Sequence, residues 1–97
     1  MTMIDDQKLV KSKSIAWRLV GEETVLVPLA GRQDDLDYMY VLNETATLIW
    51  SLMDGHHTAR QIVDEIVLQF EVNRGEARRD LAELLAQLAR IEAVTAT

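Results

Sequence analysis

Cysteine is absent from this chain, which excludes disulfides and thiolate-bound metals. The composition suits a reducing cytoplasm, and we expect the protein there. No apolar run approaches the ~18 residues of a membrane span, so no membrane partner is expected. Residues 1–14 lack the apolar stretch of a signal peptide and read as a polar N-terminal tail. Positive charge is in deficit: 10 basic residues face 16 acidic ones, giving a net charge of −6. Nucleic-acid binding needs clustered positive charge to neutralise phosphate, so no nucleic-acid partner is expected.

Recognisable chemistry is missing as well. There is no HExxH, no Gly-rich phosphate loop and no nucleophile–base pair. His56 and His57 are adjacent, so they do not share a helix face, and no third ligand lies near them in sequence. They read as a solvated turn. Asp34, Asp35 and Asp37 lack the spacing and glycine of a calcium loop and read as a solvated loop. We expect no catalysis, no metal and no cofactor.

What remains is 97 residues, 48% of them apolar, enough for one domain around one core. Residues 15–20 alternate Ile15, Trp17 and Leu19 against Ala16, Arg18 and Val20, the period of a strand. A turn at Gly21 leads into a β-branched run from Thr24 to Leu29, giving a hairpin. Pro28 cannot donate to a ladder and belongs at a strand end or edge. After the loop 30–37, residues 38–42 form a third strand.

Helix signals follow in series. Asn43 caps a first helix whose apolar face is Ala46, Ile49, Trp50 and Met53, closed by Gly55. Thr58 and Gln61 fit a capping box for a second helix, with Ile62, Val63, Ile66, Val67 and Phe70 on its apolar face. Asn73 and Glu76 fit another box, starting a third helix that runs to about Ile91. Residues 92–97 are ambiguous. Trp17 and Trp50 fall on apolar faces and are assigned to the core. Strands first and helices after imply an α+β domain over residues 15–94: a three-stranded antiparallel sheet followed by three helices, in a winged helix-turn-helix arrangement.

The third strand carries the functional signal. Tyr38, Tyr40 and Leu42 point one way, and Met39 and Val41 the other, so both faces are apolar. Such a strand is either sandwiched within the fold or an edge open to an added peptide strand. The third helix has three stripes at 100° per residue. Ala77, Leu81, Leu84, Leu88 and Ile91 form a core stripe, and Arg79, Asp80, Glu83, Gln87 and Arg90 a polar face. Between them lie Arg78, Ala82, Leu85, Ala86 and Ala89. Small side chains there let another backbone approach. A groove between this stripe and residues 38–42 would hold an extended peptide, with Arg78 offered to an acidic side chain.

Leu42-Asn43, Ile49-Trp50, Asp54-Gly55, Thr58 and Ile62-Val63, followed by an Ala/Leu-rich last helix, resemble the PqqD family over residues 15–94. The resemblance implies a winged helix-turn-helix that binds the leader of a ribosomally made precursor peptide as an extra strand. It further implies presentation of that peptide to a modifying enzyme, often a radical SAM enzyme, as in pyrroloquinoline quinone biosynthesis. Carried onto this chain, the binding residues are Tyr38, Met39, Tyr40, Val41 and Leu42 with Arg78, Ala82, Leu85, Ala86 and Ala89. Asn43, Trp50, Gly55 and Thr58 match as structural positions. The chain departs from the family in three places, one being its first residues, which show little family likeness. Ile91-Glu92-Ala93-Val94 stands where many members carry Gly-Leu-Val, and the loop 30–37 adds negative charge beside the proposed edge. Two other readings compete: a winged-helix DNA regulator, with Arg74, Arg78, Arg79 and Arg90 on its last helix, and a self-associating module whose exposed edge makes a homodimer.

Overall fold

The computed structural model describes residues 5–28 and 39–96, without the side chains of residues 28 and 96. Tyr38, the loop 30–37 and its three aspartates lie outside the described residues. Among the described residues nine elements follow in order: β1 Lys8–Lys11, β2 Ile15–Val20, β3 Glu23–Pro28, β4 Tyr40–Leu42, α1 Glu44–Leu52, β5 Asp54–Thr58, α2 Ala59–Phe70, α3 Arg74–Arg90 and β6 Val94–Ala96.

The expected hairpin is present. β2 and β3 pair antiparallel from Ile15↔Pro28 to Val20↔Glu23, joined by two turn residues of which Gly21 has φ +63°. That positive φ is one glycine adopts without steric cost. β4 adds to β3 through Leu26↔Tyr40, Val25↔Val41 and Thr24↔Leu42. This register puts Leu26 and Thr24, both fully buried, on the same face as Tyr40 and Leu42. The other face shows Val41 at 58% and Val20 at 54% exposure. Alternation thus does its usual work, except that the outward residues are apolar too.

The second sheet corrects the sequence reading. Residues 8–11, assigned to a tail, are the central strand of the order β5-β1-β6. Asp54–Thr58, read as the turn closing one helix and starting the next, is a strand antiparallel to β1. Val94–Ala96 completes the sheet on the other side. The described residues are therefore α+β with three helices and two three-stranded antiparallel sheets, not three strands followed by three helices. Each of these strands has at most five residues, too few for a period to show. They form because Leu9, 2% exposed, enters the core and both sides of β1 find partners from distant parts of the chain. Gly55 keeps a positive φ of +83°, and a Cβ there would lie 3.4 Å from Val10 Cγ2.

The caps follow the sequence. Asn43 Oδ1 accepts from Ala46 N–H at 2.9 Å, and Thr58 and Gln61 form the reciprocal capping box. Asn73 Oδ1 accepts from Glu76 N–H at 2.8 Å. α1 packs on β3 and β4, α2 on β5 and α3 on β6, around a core that includes Ile49, Trp50, Ile62, Ile66, Leu81, Leu85 and Leu88, all at most 2% exposed. Trp17 is the second correction. It lies at the margin of the core, 48% exposed, because β2 is an outer strand that the helices only partly cover.

Candidate functional site

β4 has β3 on one side and no described strand on the other, so alternate amides and carbonyls along its free edge lack ladder partners among the described residues. Its corner with α1 is fixed by a hydroxyl relay. Buried Thr24 donates to Thr47 Oγ1 at 2.9 Å, and Thr47 donates to the Leu42 carbonyl at 3.3 Å. One strand of the hairpin, the end of β4 and the first turn of α1 are thereby held together. Met39, just before β4, is 67% exposed, Tyr40 is half-buried and Leu42 is buried.

A cleft of about 180 Å³ opens where β4 ends. Asn43, Thr45, Ala46 and Ile49 line it from the start of α1, and Asp80, Glu83, Leu84 and Gln87 from α3. The α3 residues recur at three- and four-residue spacing and so share one flank of the helix. The stripe expected to line a groove lies on the other flank. Leu85 is 1% exposed inside the core, and Ala89 is half-buried. Ala82 and Ala86 are exposed. Arg78 turns to the N-terminal segment, where its Nη1 donates to Asp5 Oδ1 at 2.6 Å. That pair holds the Asp5 carboxyl below its ordinary pKa.

The structure thus brings the start of α1, which follows β4 directly, against the acidic flank of α3. It does not bring Arg78, Ala82, Leu85, Ala86 and Ala89 to that cleft. The reason is angular. The buried arc of α3 is centred on Leu81 and Leu88, with Leu84 and Leu85 at its two borders, and α1 faces the Leu84 border. The sequence reading placed Leu84 in the core and Asp80, Glu83 and Gln87 on a solvated face. A signal was available: Glu76, Asp80 and Glu83 follow one another at i, i+4 and i+7 on one side of the helix.

Two polar groupings lie elsewhere. On β5, His57 Nδ1 is 3.0 Å from Asp54 Oδ1, and His56 N–H donates to the same oxygen at 2.8 Å. The His57 hydrogen bond is the main reason the Asp54 pKa falls to about 2, with the His56 amide second. No group of three or more ligating side chains accompanies them among the described residues. Between the two sheets, the Lys11 ammonium sits 5.5 Å over Trp17 and 5.6 Å over Trp50, and donates to the Met53 carbonyl at 3.2 Å. The two rings meet edge-on with centroids 6.2 Å apart. Burial pushes the lysine pKa down, opposed by nearby Asp54. These contacts tie β1, β2 and the end of α1 to one another and read as structural.

The sequence model of the family described as Coenzyme PQQ synthesis protein D (PqqD) matches residues 23–94, well over half of the chain. No curated protein matches. Among solved structures, the chain is similar to one described as TbiB1 in complex with the TbiA(beta) leader peptide. The likeness has 28% identity and a TM-score of 0.74, covering 88% of this chain and 93% of that one.

Proposed function

The chain belongs to the PqqD family, and on that premise we propose that it is a non-catalytic recognition module for the leader segment of a ribosomally made precursor peptide. The observation that carries this reading is the likeness, along nearly the whole chain, to a protein solved with a leader peptide bound. The free edge of β4 supports it. An extended peptide added there gains main-chain hydrogen bonds, and its inward side chains fall every second residue along the edge. The inner contacts are Tyr40 and Leu42 with Ile49 and Leu84. Met39 and Val41 extend the outer apolar face toward the bound peptide.

In this reading β2 and β3 are the wing, and α1 with α2 the helix pair, of a winged helix-turn-helix adapted to peptide instead of DNA. The partner that acts on the presented peptide is a modifying enzyme of radical SAM type, as in pyrroloquinoline quinone biosynthesis. The deficit of basic residues counts against a DNA-binding role.

Calorimetric titration with synthetic peptides copied from the short open reading frames beside the gene tests this function. Saturable one-to-one binding by one of them is expected. If none binds, and the protein instead self-associates or is retained on DNA at low salt, the leader-recognition reading fails.

A further inference from the structure

The reading above names a leader peptide but not what the leader must carry. Resting on that reading, we infer that the bound strand presents a lysine or arginine to Asp80 and Glu83, beside an apolar residue that packs on Ile49 and Leu84.

The position comes from the cleft. Asn43 follows β4 directly and also lines the cleft, so the cleft lies at the C-terminal end of that strand. A strand added to β4 runs about 4.8 Å away, and its inward residues recur about every 6.8 Å. The inward residue nearest the end of β4 therefore meets the cleft. There it finds Leu84 and Ile49 at the base and two carboxylates above them.

The sign of charge is settled by what each group near the cleft is paired with. Among the described residues, Asp80 and Glu83 make no ion pair, and neither does Glu76, one turn before Asp80 on the same flank. The arginines at that end of the molecule are held elsewhere: Arg74 by Asp64 at 2.6 Å, Arg78 by Asp5 at 2.6 Å and Arg60 by Asp6 at 3.3 Å. Arg79, one turn before Glu83, and Arg90 are exposed on α3, form no ion pair with either carboxylate among the described residues and do not line the cleft. The opposing field is the N-terminus of α1, equivalent to about half a positive charge. Glu44 in the first turn offsets it, and the Asn43 side chain already takes the Ala46 amide. Two full negative charges against about half a positive one leave a site for a cation. The excess of acidic residues over the whole chain acts in the same direction, favouring encounter with a basic peptide.

Both carboxylates border solvent, so the contribution is modest and screened by salt. It bears on which leader is chosen more than on how tightly any leader binds. The test uses fluorescein-labelled synthetic peptides from the short open reading frames beside the gene, each made also with its basic residues changed singly to glutamine. Anisotropy titrations are run on the wild-type protein and on the double variant Asp80→Asn, Glu83→Gln, with amide NMR spectra verifying the fold. One basic residue in the binding peptide should matter, its loss weakening affinity about three- to tenfold at low salt. The double variant should weaken the unaltered peptide by the same factor, and the two losses should not add. The reversed pair, Asp80→Lys with Glu83→Lys, should prefer the peptide whose basic residue is changed to glutamate. Unchanged affinity in the double variant, or a binding peptide indifferent to each of its basic residues, overturns the inference and leaves leader recognition standing. Failure of every peptide to bind the wild-type protein removes both.

Discussion

β2, β3 and β4 follow one another in sequence order around a two-residue turn and a longer connection, while β5, β1 and β6 come from residue 54, residue 8 and residue 94. The first sheet ends in a strand whose outer edge has no described partner, and its outer face shows Val20, Val41 and neighbouring Met39 to solvent. The second keeps its central strand paired on both sides, with Leu9 in the core. One sheet is a local hairpin extended by a free edge. The other is a clasp that draws the two ends of the chain onto the middle. The difference separates the tasks of the domain: the clasp holds the fold, and the β4 edge, which has no partner among the described residues, is left to other uses.

The sharpest way to break this comparison is at the clasp. Leu9→Ala removes a side chain that is 2% exposed and should cost about 2–5 kcal/mol in urea unfolding. A cost below about 1 kcal/mol would mean that residues 8–11 are a tail after all. At the free edge, the effect should fall on binding instead. Val41→Pro removes an edge amide from an exposed position. Leader affinity should drop about tenfold or more, the equivalent of roughly one to one and a half kcal/mol, in a protein that still unfolds cooperatively. Equal affinity in both proteins would break the strand-addition account.

The corner between the two regions should respond more weakly. Thr24→Val deletes the buried donor of the relay to Thr47 and Leu42 and should cost about 1 kcal/mol. Amide shifts should cluster at residues 42–47. Acid titration then separates the sheets again. Asp54 has its pKa depressed from 3.8 to about 2 in the folded clasp, so its contribution is complete above the unfolded value and is lost as pH falls from 3.8 through about 2. Asp54→Asn should flatten that part of the stability–pH curve, measured as urea midpoints. A slope unchanged from wild type would place the acid sensitivity elsewhere. The smallest effect is expected on the far flank of α3. Ala82→Gln and Ala86→Gln alter exposed positions away from the cleft. Each should change stability by no more than about 0.5 kcal/mol and leave leader affinity as it was. A clear loss of affinity there would restore the small-residue stripe as the docking surface.

Where the structure was legible in the sequence follows the same division. The hairpin, the three helices and their caps are encoded by neighbours in the chain: Gly21 in its turn, Asn43, Thr58 and Asn73 at their helix starts. Periodicity and capping report such features directly. Lys8–Lys11, Asp54–Thr58 and Val94–Ala96 have no such local code, since each is a strand only because the others are beside it. The candidate site divides likewise. The apolar character of Tyr40, Val41 and Leu42 marked the edge. The choice between the two flanks of α3 depended on where α1 packs, which no residue of α3 states by itself. Leu84 and Leu85 are both buried, yet they stand at the two borders of the buried arc and face opposite surfaces. Trp17 shows the limit of reading burial from residue type. Its ring is apolar, but its strand lies on the outside of the sheet.

The most direct test is an amide NMR titration of the isotope-labelled protein with the neighbour-encoded peptide that binds it. The account predicts slowed hydrogen exchange at Val41, whose amide faces the β4 edge, with shifts along Asn43 to Ile49 and Asp80 to Gln87, while β5, β1 and β6 stay as they were. Shifts centred on Ala82 and Ala86, or on the clasp sheet with the β4 amides still exchanging freely, would contradict it.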